Sequence, residues 1–73
     1  MDFTRLSDRI EKEKDGSEVK VKRFGLWGTN VEIELKGKLI EVVYPKGKRE
    51  KFKKLEEAKQ CLEEIVNGRR KPL

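Results

Sequence analysis

The chain has no histidine and a single cysteine, Cys61, among its 73 residues. The first absence removes the side chain that most often moves protons near neutral pH or ligates a transition metal. The second removes any internal disulfide, so nothing marks a stapled secreted domain. With no histidine to act as its base, Cys61 is read as a small apolar residue near the edge of a helix. No apolar run approaches the ~18 residues of a membrane span, and the opening MDFTRLSDRI is too charged for a signal peptide. P-loop and GxGxxG stretches are absent, and the glycines at 25, 28, 37 and 47 are explained by turns. Glu56-Glu57 and Glu63-Glu64 are adjacent in sequence, so each pair diverges on a helix instead of forming an acid–base couple. These absences point away from an enzyme and imply no cofactor and no metal. A cytoplasmic setting without a membrane partner is expected.

Apolar residues are also scarce, at 34% against 45% charged. That approaches the composition of disordered chains, but the apolar residues are patterned, which argues for a fold. The charge is mostly lysine and glutamate, as in proteins from hot environments. At this length there is room for one domain, expected over residues 1–68, with a basic flexible tail over 69–73.

Phe3, Leu6 and Ile10 have the spacing of one helix face, with Asp2 or Thr4 as a cap and Asp15-Gly16 as the stop. From Glu18 the period becomes two. Val19 and Val21 are expected to face inward, with a bulge or turn near Arg23 to Gly25 because Phe24 and Leu26 have the opposite parity. Val31, Ile33 and Leu35 make a second strand, and Ile40, Val42 and Tyr44 line a third across the tight Lys36-Gly37-Lys38 connection. Odd residues of one then oppose even residues of the other, so both apolar sets share one face. Lys48 to Phe52 can return as a fourth, edge strand after Pro45-Lys46-Gly47. Leu55, Ala58, Leu62, Ile65 and Val66 form a helical stripe that stops at Asn67-Gly68.

The expected class is therefore α+β: an N-terminal helix, an antiparallel sheet of three to four strands and a C-terminal helix, both helices on one sheet face. In topology this order resembles double-stranded-RNA-binding domains, without their loop and helix pattern. The segment FKKLEEAKQCLEEI is similar to the strand-to-helix exit of arm-binding domains from tyrosine recombinases. Neither resemblance includes a diagnostic motif, and no family is assigned.

The basic residues are unevenly placed. Lys46, Lys48, Arg49, Lys51, Lys53 and Lys54 against Glu50 leave +5 within residues 46–54; Arg69, Arg70 and Lys71 add +3, and all other residues together carry −3. Such a cluster either binds phosphates in a salt-dependent way or guards an edge strand against unwanted pairing. On the sheet face away from the helices, Lys20 and Lys22 are expected to pair with Glu32 and Glu34, leaving that face neutral and solvated.

The stretch RFGLWGTN carries the only tryptophan. Trp27 either folds back with Phe24 to close a core poor in aromatics, the favoured reading, or stands exposed beside Arg23 as a stacking surface or protein anchor. The first functional expectation is a small nucleic-acid-binding regulator or accessory factor, with a virus or mobile element among its sources. It would contact phosphates through residues 46–54 and the tail, with any sequence preference from Arg23 or Trp27. DNA or RNA, and one strand or two, are left open. The alternative is a protein-interaction module, an inhibitor or adaptor for an acidic protein. A homodimer through Trp27, Leu26 and the sheet edge fits either.

Overall fold

The computed structural model describes residues 3–71; the Asp2 cap and the last two tail residues lie outside it. Five strands precede one helix: β1 (Phe3–Lys12), β2 (Glu18–Leu26), β3 (Glu32–Lys36), β4 (Leu39–Val43), β5 (Arg49–Phe52) and α1 (Leu55–Val66). The strands form a single antiparallel meander in chain order, β1-β2-β3-β4-β5, and α1 packs across β2 to β5 on one face.

The expected N-terminal helix is a strand, so the layout of two helices on a sheet of three to four strands is corrected to one helix on five. β1 pairs along β2 from Phe3 opposite Leu26 to Lys12 opposite Glu18. The helix-like spacing of Phe3, Leu6 and Ile10 has a local cause: the register shifts between Arg5 and Ser7, so Leu6 occupies a bulge that breaks the two-residue period. Three apolar residues make too narrow a stripe to hold a helix, whereas pairing with β2 satisfies the backbone groups on one side of β1 and leaves the others at the sheet edge. Asp15-Gly16-Ser17 does not end a helix but closes a hairpin. Asp15 Oδ1 accepts hydrogen bonds from the Ser17 amide and hydroxyl at 2.9 and 2.6 Å, in the manner of an Asx-turn.

The parity switch in β2 is real, but β2 itself runs without a bulge against β3. Phe24 opposes Ile33 and so faces the helix, while Val21 opposes Lys36 and so faces away. The expectation that Val19 and Val21 point into the main core is thereby corrected. Val21 is fully buried all the same. Its cross-strand neighbours are Arg9 and Lys36, long side chains of the kind whose aliphatic stems cover apolar surface.

The β3–β4 hairpin pairs Ile33 with Val42 and Leu35 with Ile40, so the apolar sets of the two strands share the helix face. There Ile33, Val42, Leu26, Val31 and Tyr44 meet Ala58, Cys61 and Leu62, all buried, and Phe3, Phe24, Phe52, Leu55 and Ile65 close the margins. Cys61 sits in this core and not at the helix edge. Helix α1 ends with Gly68 at φ 75° and the Arg69 amide donating to the Glu64 carbonyl at 2.8 Å, a left-handed glycine stop that satisfies the last carbonyls. Among the described residues, no helix is long and apolar enough to cross a membrane.

Leu62 has no exposed surface. A Leu62→Ala change is expected to cost about 2–5 kcal/mol by urea unfolding. A domain of this size has a total stability of roughly 4–11 kcal/mol, so the variant should lose a large share of it.

Candidate nucleic-acid interface

The sheet face away from α1 carries an ion-pair network across all five strands. Its centre is Glu34 on β3, only 4% exposed. Arg23, directly opposite on β2, donates from Nε to Glu34 Oε1 at 3.2 Å and from a terminal nitrogen to Glu32 Oε1 at 3.2 Å. From β5, Arg49 bonds Glu34 Oε2 and also reaches Glu41 Oε1 at 3.3 Å. Arg9 of β1 lies 3.6 Å from Glu34 and 2.6 Å from Glu11. Lys36 joins Glu11 and Glu13 at 3.2 and 3.5 Å. Glu34 and Glu41 oppose each other directly across the hairpin, a like-charge pair that the shared Arg49 offsets. Burial pushes the Glu34 carboxyl upward, but the hydrogen bonds and charges of Arg49 and Arg23 outweigh it and hold the group below its ordinary 4.5.

The face is thus held near neutral, by residues other than those expected. Lys22 opposes Leu35, not a glutamate, so the Lys20/Lys22 ladder is corrected: Arg23 does that work, two donors to two carboxylates.

Three arginines from the expected phosphate-binding set are consequently occupied. Arg23 and Arg49 serve the Glu34 network, and Arg70 grips Glu50, its terminal nitrogen 2.7 Å from both carboxylate oxygens. Glu50 also accepts the Tyr44 hydroxyl at 2.8 Å, and that hydroxyl lies 3.6 Å from Cys61 Sγ. Burial, then the contacts with Cys61 and Glu50, raises the Tyr44 phenol well above its usual range, and burial also raises the Cys61 thiol. A buried, raised thiol has little thiolate character. Nothing in the local pattern announced the Tyr44–Glu50–Arg70 contact; it joins the residue after β4, β5 and the segment after α1.

The lysines are different. Lys46 and Lys48 in the β4–β5 turn, Lys51 on β5, and Lys53 and Lys54 before α1 are all exposed. Among the described residues, none of these has a carboxylate within ion-pair distance, and Lys36 is the one lysine that does. The only acid of the segment, Glu50, is already matched by Arg70. Residues 46–54 therefore present five unmatched positive charges along one edge of the sheet. Arg69 and Lys71 are exposed and unmatched as well.

Trp27 does not close the core. It is 93% exposed, which overturns the favoured reading, and the reason is local. The Thr29 amide donates to the Leu26 carbonyl at 3.3 Å and Gly28 has φ 104°, a turn that needs glycine in third place and throws the second residue outward. A Cβ at Gly28 would also lie 3.4 Å from Val66, so the turn is seated against the helix end. No protein-family model matches the chain, nor does any curated protein or solved structure.

The lowered Glu34 carboxyl sets a pH dependence. Because the folded value lies below the unfolded one, its contribution is complete above about pH 4.5 and is lost as pH falls through the folded value. Glu34→Gln should cost about 1.5–3 kcal/mol at pH 7, from weakened charge-assisted hydrogen bonds, and should flatten the acid limb of a urea-stability profile measured from pH 7 to 3.

Proposed function

We propose that this chain binds nucleic acid through the lysine edge formed by residues 46–54, with Arg69 and Lys71 assisting. The observation that carries the reading is the contrast between the two kinds of basic residue. The arginines at 9, 23, 49 and 70 are hydrogen-bonded to carboxylates, leaving Arg5 in a loose exposed pair with Asp8 at 3.7 Å and Arg69 unmatched, while the lysines at 46, 48, 51, 53 and 54 are exposed and unmatched. Arginine is the side chain suited to bidentate reading of a guanine edge; lysine supplies a flexible point charge to phosphate. An interface made of lysines grips the backbone and carries little sequence information. Binding of this kind is driven by counterion release and weakens steeply with salt.

The same edge also works as protection. β5 is the last strand of the meander, and lysines there discourage sheet-to-sheet pairing. The two roles are compatible, because both need the charges exposed.

The test is the affinity of labelled DNA and RNA duplexes and single strands across salt concentrations. With four to five phosphates contacted, log Kd against log salt should have a slope of magnitude about 3–4.5. The Lys48→Ala/Lys51→Ala/Lys53→Ala variant should bind weakly at all salt concentrations and with a shallower slope. Lys14→Ala/Lys38→Ala, in the two turns at the opposite end of the sheet, should bind as the unaltered chain does. Affinity indifferent to salt, or untouched by the triple substitution, would overturn the reading.

A further inference from the structure

The fold leaves Trp27 almost fully in water, and the surroundings of this ring are specific. Trp27 and the half-exposed Leu6 line one shallow depression with Gly25, Thr29, Asn30 and Pro45. Leu6 reaches this place because the β1 bulge turns it over Gly25, where a Cβ would lie 2.9 Å from Leu6 Cδ1. The one carboxylate at the rim, Glu32, is held by Arg23 at 3.2 Å, so the depression does not repel an anion as a bare glutamate would.

Pro45 joins this depression to the lysine edge. In an antiparallel meander the β2–β3 and β4–β5 turns emerge at the same end of the sheet. They are two strand spacings apart, roughly 10 Å. The β4–β5 turn is closed by the Tyr44 amide to the Lys48 carbonyl and the Gly47 amide to the Tyr44 carbonyl, both 2.9 Å. Lys46 and Lys48 are therefore carried on a hydrogen-bonded turn at the same end of the sheet as the ring. An exposed aromatic face next to unmatched cations is the combination that holds a single strand, with a base on the ring and phosphates on the charges. A duplex keeps its bases stacked on one another and has no free face to offer.

We infer that this end of the sheet is a subsite for single-stranded nucleic acid, in which Trp27 stacks on an unpaired base while Lys46 and Lys48 hold the flanking phosphates. The inference rests on the nucleic-acid reading of the lysine edge and adds to it a preference for one strand over two.

Trp27 is the sole tryptophan, so its emission reports on this site alone. A twelve-nucleotide oligothymidine should quench it saturably at low salt, and a twelve-base-pair duplex should not. Trp27→Ala should weaken oligothymidine binding, read by anisotropy of a labelled strand, on the order of tenfold, and leave duplex binding unchanged. Trp27→Phe should keep most of the affinity. The ring is so exposed that these variants should fold normally. Oligothymidine bound without any change in Trp27 emission, or equally well by Trp27→Ala, overturns the stacking inference while the lysine edge stands. No binding of either probe at low salt removes the lysine edge and the inference together. A dimer by light scattering that Trp27→Ala turns into a monomer assigns the patch to a second copy and overturns it as well.

Discussion

A carboxylate almost closed to solvent, Glu34, sits in the middle of a sheet face that no helix covers. Taking a charge out of water is expensive unless hydrogen bonds replace those lost. Here they come from Arg23 on β2 and Arg49 on β5, with Arg9 of β1 close by. Each arginine reaches β3 from a different strand, so the network ties the whole meander to its central strand. It also fixes register. A slip of one residue in β3 would turn Glu34 toward Leu62 and Cys61 and bring Ile33 into the arginines, which neither face would tolerate. With so few apolar residues, the helix-side core alone would specify this poorly; polar pairing on the other face completes the specification.

That solution decides which charges remain unpaired. Arginine's planar fork suits a crowded cross-strand network, because one side chain serves two carboxylates, as Arg23 does for Glu32 and Glu34. Once the arginines are so committed, the unmatched charge of the molecule is carried largely by lysine. On the β5 edge the last acid is also removed from the balance, since Glu50 turns toward the helix side to meet Tyr44 and Arg70. The formal charge of residues 46–54 thus survives folding in a concentrated form, although Arg49, one of its six contributors, is lost inside the network.

The hairpin of β3 and β4 and the stripe of α1 were legible in the sequence because two independent signals agreed there, period and turn chemistry. β1 was not. A bulge at Leu6 shifts the parity, and a shifted two-residue alternation across ten residues imitates a helical spacing when only Phe3, Leu6 and Ile10 are apolar. Val19 and Val21 misled for a related reason: alternation gives two faces but not which is covered, and Val21 is buried on the face opposite the helix-side core. The lysine cluster could be read directly, since it is local in sequence. Its correction by Arg23, Arg49 and Arg70 could not, because each of their partners lies at least eight residues away, brought close by strand pairing for Arg23 and Arg49 and by the packing of α1 on the sheet for Arg70.

Trp27 shows how a thin core can still spare its largest ring. The aromatic filling expected of it comes from Tyr44, fully buried with its hydroxyl satisfied by Glu50, and from Phe24, Phe52 and Phe3 around the margin. The turn from Leu26 to Thr29 needs a positive φ at Gly28 and contact with Val66, but it places no demand on the side chain before the glycine. Any polar residue would serve the fold there and avoid exposing an indole. A tryptophan at such a corner, beside an apolar depression and a lysine-bearing turn, therefore fills no space in the core, and the largest ring of the chain is left to water.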